Sequence, residues 1–346
     1  MSDGEGTPAA RLGGPGFDVV EKARAAVDRY RMLGDGDRIL VAVSGGPDSV
    51  CLLDVLARLS TERGYVLAGA HVDHGLSPGS EKVAATVAHS IAEAGFEAHV
   101  IKAPDLAGPN LHARARDFRY SFFETIAESW GATRIATGHT LDDRVETTLA
   151  RLVHGAGTDG LAGLPPVDAK RVRPLVGLRR SETRDYCATR SLTYHDDPAN
   201  YDDRFERVAV RRELVAAIEA RWGEGAVRAM AVSADRLRED AVALGALADK
   251  IFETMARPTL LGTEIDLGLM LETPRAFRRR VLERAVGRVR DRAGGIEAAL
   301  DALDRREPGK GAPVRFAVAS GVEIELRSDK VIVKEEEGRA AVDGAH

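Results

Sequence analysis

The hexapeptide Ser44-Gly45-Gly46-Pro47-Asp48-Ser49 stands between a β-branched apolar run, Arg38-Ile39-Leu40-Val41-Ala42-Val43, and a run with Val50, Leu52, Leu53, Leu56 and Leu59 at helical spacing. A strand, a glycine loop and a helix in that order make a place where backbone can grip an anion. Adjacent glycines let successive N–H groups point at one spot, and the helix N-terminus adds unpaired donors and the positive end of its dipole. No Gly-Lys-Ser/Thr follows the glycines, so this is not a Walker A loop, and the spacing is not that of a dinucleotide fingerprint.

Alternating signals continue for more than a hundred residues. After a helix predicted over 18–33, strands are expected at 39–43, 65–72, 97–102 and 133–137, and helices at 49–62, 80–94, 110–129 and 142–152. Such alternation predicts an α/β fold with a doubly wound, mainly parallel sheet, whose sites lie beyond the carboxyl ends of the strands. Each polar cluster follows a predicted strand: Ser44 to Ser49, then Asp73-His74-Gly75, then Gly138-His139-Thr140-Leu141-Asp142-Asp143.

A Gly/Pro-rich stretch from Gly155 to Pro166 leads to a strand candidate at 171–175, a helix at 181–190 and a polar turn at 195–200. From Phe205 the chain reads as largely helical to Glu253, then as a basic helix over 273–292, with short strands at 314–319, 322–327 and 330–334. The expected organisation is a tail at 1–16, a first α/β domain at 17–220, a mostly helical second domain with short terminal strands at 221–336, and a frayed end at 337–346.

Composition narrows the class. With 44% hydrophobic and 30% charged residues and no long apolar run, the chain reads as globular, without a membrane span, and cytoplasmic. Its 2 cysteines, Cys51 and Cys187, are too few and too far apart for a zinc site. A net charge of -5 gives no global sign of nucleic-acid binding, so such a surface must be local. The basic helix supplies a candidate: Arg275, Arg278, Arg279, Arg280, Arg284, Arg288, Arg290 and Arg292 face only Glu283 and Asp291.

Asp143 and Glu146 are three apart at a helix start and share one face, while Asp142 can cap the helix or reach toward a metal. Paired carboxylates beside a triphosphate pocket suit Mg²⁺ or the ammonium group of an amine.

Ser-Gly-Gly-x-Asp-Ser after a strand resembles the PP-loop of the N-type ATP pyrophosphatases, which hold the pyrophosphate of ATP and transfer AMP to a substrate oxygen. Together with His71-Val72-Asp73-His74-Gly75-Leu76, Ala113-Arg114-Ala115-Arg116-Asp117-Phe118-Arg119-Tyr120 and the Gly138 to Thr147 stretch, the loop is similar to that of the tRNA(Ile)-lysidine synthetases. The likeness continues through Gly155 to Leu164, Arg173-Pro174-Leu175 and Asp197-Pro198-Ala199-Asn200.

The resemblance implies a C–N ligase. ATP adenylates the C2 oxygen of the wobble cytidine in a tRNA(Ile) with a CAU anticodon, and the ε-amine of free L-lysine displaces AMP. Ser44, Gly45, Gly46, Pro47 and Ser49 would hold the pyrophosphate, and Asp48 would support the loop or Mg²⁺. Asp73 and His74 would contact nucleotide. Asp143 and Glu146 match positions associated with lysine recognition, and either His139 or Asp143 would take the proton of an amine whose unperturbed pKa is about 10.4. Arg114, Arg116, Arg119, Asn200, Arg207, Arg211, Arg279 and Arg280 are the candidates for RNA or substrate contacts.

Two departures stand out. Val208 occupies a position where asparagine is usual, and Arg144 one where glutamine is usual. They keep open a second class, a nucleotide-binding regulatory protein without catalysis, beside another AMP-forming ligase such as an NAD synthetase. Thiolating relatives use paired cysteines, which Cys51 and Cys187 do not supply. The oligomeric state, including a homodimer, is left open.

Overall fold

β1 (Arg38–Ala42) follows α1 (Phe17–Arg29) and lies inside a six-stranded sheet in the computed structural model. Ile39, Leu40 and Val41 are all buried, because helices cover both faces. Ile39 and Val41 pack with α1 and α2 (Pro47–Arg63), whereas Leu40 points into a second core with Phe123 and Ala127 of α4 (Leu111–Trp130). The described residues are 14, 16–75, 79–104, 111–196, 206–260, 262–287, 294–307, 309–319 and 321–335. The expected tails at 1–16 and 337–346 lie outside them except for Gly14 and Gly16, as do Leu76, the 197–200 segment with Asn200, Phe205, Arg288, Arg290 and Arg292.

The sheet order is β3-β2-β1-β4-β6-β5, from β2 (Val66–Asp73), β3 (Glu97–Lys102), β4 (Arg134–Thr137), β5 (Val167–Asp168) and β6 (Arg171–Val172), with α3 (Ser80–Glu93) between β2 and β3. All neighbours are parallel except the β5–β6 edge pair. The chain moves from β1 to β2 and β3 on one side and returns to β4 on the other, so the topological switch point falls between β1 and β4. Ala42 is level with Thr137, which sets the loop after β1 beside the loop after β4. A Cβ on Gly138 would lie 3.0 Å from the backbone C and O of Asp48 and the N of Ser49, so glycine is what permits this approach.

Beyond β4, α5 (Leu141–Val153) and α6 (Thr158–Leu161) precede the β5–β6 hairpin, and α7 (Arg180–Thr189) follows it. Then come α8 (Glu206–Ala209), a π-helical segment (Val210–Val215), α9 (Ala216–Trp222) and α10 (Glu224–Met255). Leu141, Val145 and Leu149 of α5 pack with Val210, Val215, Val227 and Ala231. Two predicted elements are shorter than expected. The 18–33 helix ends at Arg29, with Arg31 at φ +48°, and the 171–175 strand ends at Val172, ahead of Pro174, which has no N–H to donate.

The chain forms two compact units, 1–238 and 239–346, and the division falls within α10. Asp235 anchors the first part of α10 to the first unit. Asp235 accepts from buried Arg144, from Tyr30 Oη at 2.9 Å and from Arg238 Nη1 at 2.7 Å.

In the second unit, β7 (Ala256–Thr259) and β8 (Gly262–Asp266) precede α11 (Leu267–Glu272), α12 (Arg275–Val286) and α13 (Gly295–Asp304). β9 (Val314–Ala319), β10 (Val322–Leu326) and β11 (Lys330–Glu335) complete an antiparallel sheet of order β7-β8-β11-β10-β9. The β7–β8 hairpin escapes sequence reading because Pro258 marks β7 as non-strand; its edge position tolerates the missing donor. The basic helix predicted over 273–292 is α12, which starts after Pro274 and stops at Gly287 with φ +75°. Among the described residues, no helix is long and apolar enough to cross a membrane.

Arg144 and Asp235 are both buried, and removing Arg144 takes a charged hydrogen bond from Asp235 and leaves it with Arg238 and Tyr30. Arg144→Ala is expected to destabilise the first unit by about 1.5 to 3 kcal/mol. Denaturant unfolding followed by tryptophan fluorescence checks this, since Trp130 and Trp222 both lie in that unit. A loss below about 1 kcal/mol, the worth of an ordinary hydrogen bond, would contradict the anchor role.

Candidate active site

Ser49, one turn into α2, organises the loop that precedes it. Its Oγ accepts from the N–H groups of Ser44 at 3.1 Å and Gly45 at 3.2 Å and donates to the carbonyl of Gly46 at 2.9 Å. Ser44 Oγ lies 3.1 Å from Ser49 Oγ and accepts from Gly46 N at 3.4 Å. Gly45 has φ +89°, which favours glycine, and a Cβ there would also press on Val83 and Val87. Pro47 opens α2, where its missing N–H costs nothing. The result is a closed turn at the helix N-terminus, in which the hydroxyls of Ser44 and Ser49 hold the N–H groups of the loop.

The loop after β4 supplies the carboxylates. Thr140 caps α5, and Asp143 completes the capping box: its Oδ2 accepts from Thr140 N at 2.6 Å and from Thr140 Oγ1 at 2.9 Å. Asp142 is not the cap, because the helix begins one residue earlier than predicted. It instead receives Arg179 Nε at 3.0 Å and the backbone N–H of Arg180 at 2.7 Å, which fixes the start of α7.

Arg180 is the residue that sequence reasoning missed. Its guanidinium donates to Asp143 Oδ1 at 2.9 Å and Glu146 Oε1 at 3.0 Å, and its Nε lies 3.5 Å from Asp48 Oδ2. Arg207 reaches Asp143 Oδ1 at 2.6 Å and Glu146 Oε2 at 3.0 Å, and Arg211 reaches Glu146 Oε1 at 2.7 Å. The expected shared face of Asp143 and Glu146 exists, but three guanidiniums occupy it. The only sequence signal was Arg179-Arg180 at the start of a predicted helix, after the Arg173-Pro174-Leu175 motif.

Charge follows from these contacts. Burial raises the Asp143 carboxyl, but Arg207 and Arg180 outweigh it and hold the group well below the usual carboxylate range. Burial pushes Asp48 up to about 6, against the pull of Arg180 and of the Thr183 hydroxyl that donates to it. His139 is lowered to about 3 by burial, with Arg207, Arg173 and Arg116 adding to the fall, so it is neutral; its Nδ1 pairs with Thr137 Oγ1 at 2.8 Å.

Among the described residues no cluster of three or more His, Cys, Asp or Glu is arranged around a metal. Asp48 beside the loop fits a Mg²⁺ that arrives on nucleotide phosphates, which needs only one or two protein carboxylates.

Asp73 ends β2 and accepts from Gly75 N at 2.9 Å; burial raises its carboxyl, but that N–H together with Ser80 and Lys102 lowers its pKa on balance. His74 is lowered by burial and by Arg119, and its Nδ1 is a buried atom with no hydrogen-bond partner among the described residues. Arg119 of α4 is half-buried, while Arg114 and Arg116 are exposed. Val208 is buried, beside Arg207 and Arg211, which face Glu146, and Arg144 is spent on Asp235.

In the second unit, the arginines of α12 are largely paired with α13. Arg279 donates to Glu297 at 2.5 Å and Arg275 to Asp301 at 2.7 Å, while Arg278 donates to Asp304 at 2.9 Å. Arg280 follows on the same helix, half-buried. The excess read from α12 alone is offset by acidic residues of a helix that sequence spacing does not place beside it.

A PP-loop domain matches residues 20–218. The tRNA(Ile)-lysidine synthase of Thermobifida fusca is 35% identical over 291 residues, covering 83% of this chain and 88% of that protein. Its counterpart in Mycobacterium bovis is 36% identical over 267 residues, covering 76% and 80%. The same-named protein of Symbiobacterium thermophilum is 36% identical over 83% of this chain, which spans 63% of that protein's length. The U34-tRNA thiolase NcsA from Methanococcus maripaludis, with its [4Fe-4S] cluster, superposes with a TM-score of 0.55 at 18% identity, covering 64% of this chain and 78% of that one, a likeness of fold.

The folded-state value of about 6 for Asp48 lies above the ordinary 3.8, so the native state binds the extra proton. That contribution to stability is present at low pH and is lost as pH rises through about 6. Asp48→Asn is therefore expected to gain stability relative to wild type as pH rises from about 4 to about 6 and to keep that margin at higher pH, measured by denaturant midpoints without nucleotide. A difference independent of pH would contradict the burial of this charge.

Proposed function

The chain belongs to the tRNA(Ile)-lysidine synthase family of PP-loop proteins, and from this premise we propose that it makes lysidine. ATP is cleaved between its α and β phosphates, and AMP passes to the C2 oxygen of the wobble cytidine in a tRNA(Ile) with a CAU anticodon. Free L-lysine then displaces AMP through its ε-amine. The observation that carries this reading is the Arg180 guanidinium, which ties Asp48 of the anion loop to Asp143 and Glu146. Phosphate-binding and amine-binding groups thus stand within the span of one side chain.

Ser44, Gly45, Gly46 and Ser49 hold the pyrophosphate, with Pro47 starting the helix behind them. Asp48 would hold Mg²⁺, which would neutralise phosphate charge. Asp73 and His74 border the nucleotide. The lysine ammonium exchanges for a guanidinium at Asp143 and Glu146; Arg207, with its side chain 40% exposed, is the most open of the three.

Asp143 already accepts four hydrogen bonds, two on each oxygen, and has no lone pair left for a proton. Neutral His139 is the better acceptor. Anionic nucleotide offsets Arg207, Arg173 and Arg116 and moves the imidazole pKa back up, toward a useful base. Arg114, Arg116, Arg119, Asn200, Arg211, Arg279 and Arg280 remain the candidates for RNA contacts. With ATP and tRNA as substrates, the protein works in the cytoplasm.

Incubation with ATP, radiolabelled lysine and bulk tRNA is expected to put label into RNA, with AMP and pyrophosphate formed in equal amounts. Asp143→Asn, which removes a charged contact worth about 1.5 to 3 kcal/mol, should raise the KM for lysine about 10- to 100-fold. ADP as product, or no label in RNA, would overturn the reading.

A further inference from the structure

A cleft of about 460 Å³ opens beside the site, between α4, the end of α5 and the β5–β6 hairpin. Its walls carry Arg116, Tyr120, Arg151, Arg171 and Arg173. The sheet explains where it lies. β6 runs parallel to β4 with Ala136 level with Val172, so Arg173 leaves the sheet beside Thr137, whose Oγ1 reaches both His139 Nδ1 at 2.8 Å and the carbonyl of Val172 at 3.5 Å.

Arg173 is 2% exposed, yet its guanidinium donates to the carbonyl of Pro165 at 2.5 Å, and its Nε has no hydrogen-bond partner among the described residues. Asp168 attracts it, but its hydrogen bond among the described residues goes to a neutral carbonyl, so a further anion in the cleft would stabilise this buried cation. Arg151 likewise donates to carbonyls, those of Gly160 and Gly163, both at 3.0 Å. Arg171 pairs with Asp168 at 2.8 Å, and Asp117 and Glu124 are exposed residues of the lining.

The guanidinium carbons of Arg116, Arg119 and Arg171 lie 5.2, 5.7 and 4.9 Å from the centroid of the Tyr120 ring. The ring therefore orients arginines and leaves little of its face for stacking a base. The cleft is built to read charge, as backbone contacts to nucleic acid do.

We propose that this cleft seats a phosphodiester of the RNA strand next to the reacting nucleoside, held by Arg116, Arg171 and Arg173. The inference rests on the reading of the substrate as tRNA given above. It makes the β5–β6 hairpin part of the RNA surface and gives buried Arg173 a further counter-charge.

The test is binding of an anticodon stem-loop RNA across a salt series to wild type, Arg171→Ala and Arg151→Ala, with thermal melting to verify folding. Arg171→Ala should bind about tenfold more weakly with the salt slope reduced by about 1. Arg151→Ala, at the far wall, should show a smaller loss in the same direction. An RNA with a neutral methylphosphonate next to the target cytidine should weaken wild type, and Arg171→Ala should lose little more with it than with the native RNA. Unchanged affinities and slopes in both folded variants, or additive losses with the neutral linkage, would overturn the proposal. So would a loss confined to ATP or pyrophosphate affinity, which would assign the cleft to the nucleotide. Failure of wild type itself to bind the RNA would instead overturn the substrate reading.

Discussion

Three carboxylates from the starts of two helices share one guanidinium. Asp48 comes from α2 after β1, Asp143 and Glu146 come from α5 after β4, and Arg180 from the start of α7 lies among them. Glu146 is 1% exposed and Asp143 7%, so these charges persist only because each is answered. Arg207 and Arg211 bring the local count to three cations against three anions. Removing Arg180 would leave Asp143 and Glu146 to Arg207 and Arg211 but would take from Asp48 the cation that holds its buried carboxyl down.

The sheet topology creates this meeting. Helices that leave β1 and β4 diverge to either side of the switch point, so their N-termini border one crevice. Gly138 lets the second loop touch the first, and Asp142 pins α7 by its first N–H so that Arg180 points inward. The arrangement combines an anion cradle with a cation-binding pair, which a reaction joining a phosphate ester to an amine requires at adjacent points.

Much of this was legible because local signals and tertiary roles coincide. Ile39, Leu40 and Val41 form a continuous apolar run since both faces of β1 are covered, and Ser44 to Ser49 carries its loop geometry in its own glycines and hydroxyl. What was not legible depends on partners distant in sequence. Arg180 reads as one more charged residue at a helix start, and only the packing of α7 on α2 gives it three carboxylates. Arg144 looks like a departure within the site until Asp235, ninety-one positions away, is placed against it. The α12 arginines look like excess charge until α13 supplies Glu297, Asp301 and Asp304. Periodicity reports which face of an element is buried but not which charged residue it will meet.

The central claim is that Arg180 makes one site out of the nucleotide loop and the amine-binding pair. It is tested most directly by lysine affinity, measured by calorimetry with and without α,β-methylene-ATP, in wild type and in Arg180→Gln. The account predicts that the nucleotide analogue changes lysine affinity at least about fivefold in wild type, the lower end of ordinary coupling between sites, and that this coupling vanishes in the variant. Lysine binding that ignores the analogue in wild type, or coupling that survives in Arg180→Gln, would contradict it.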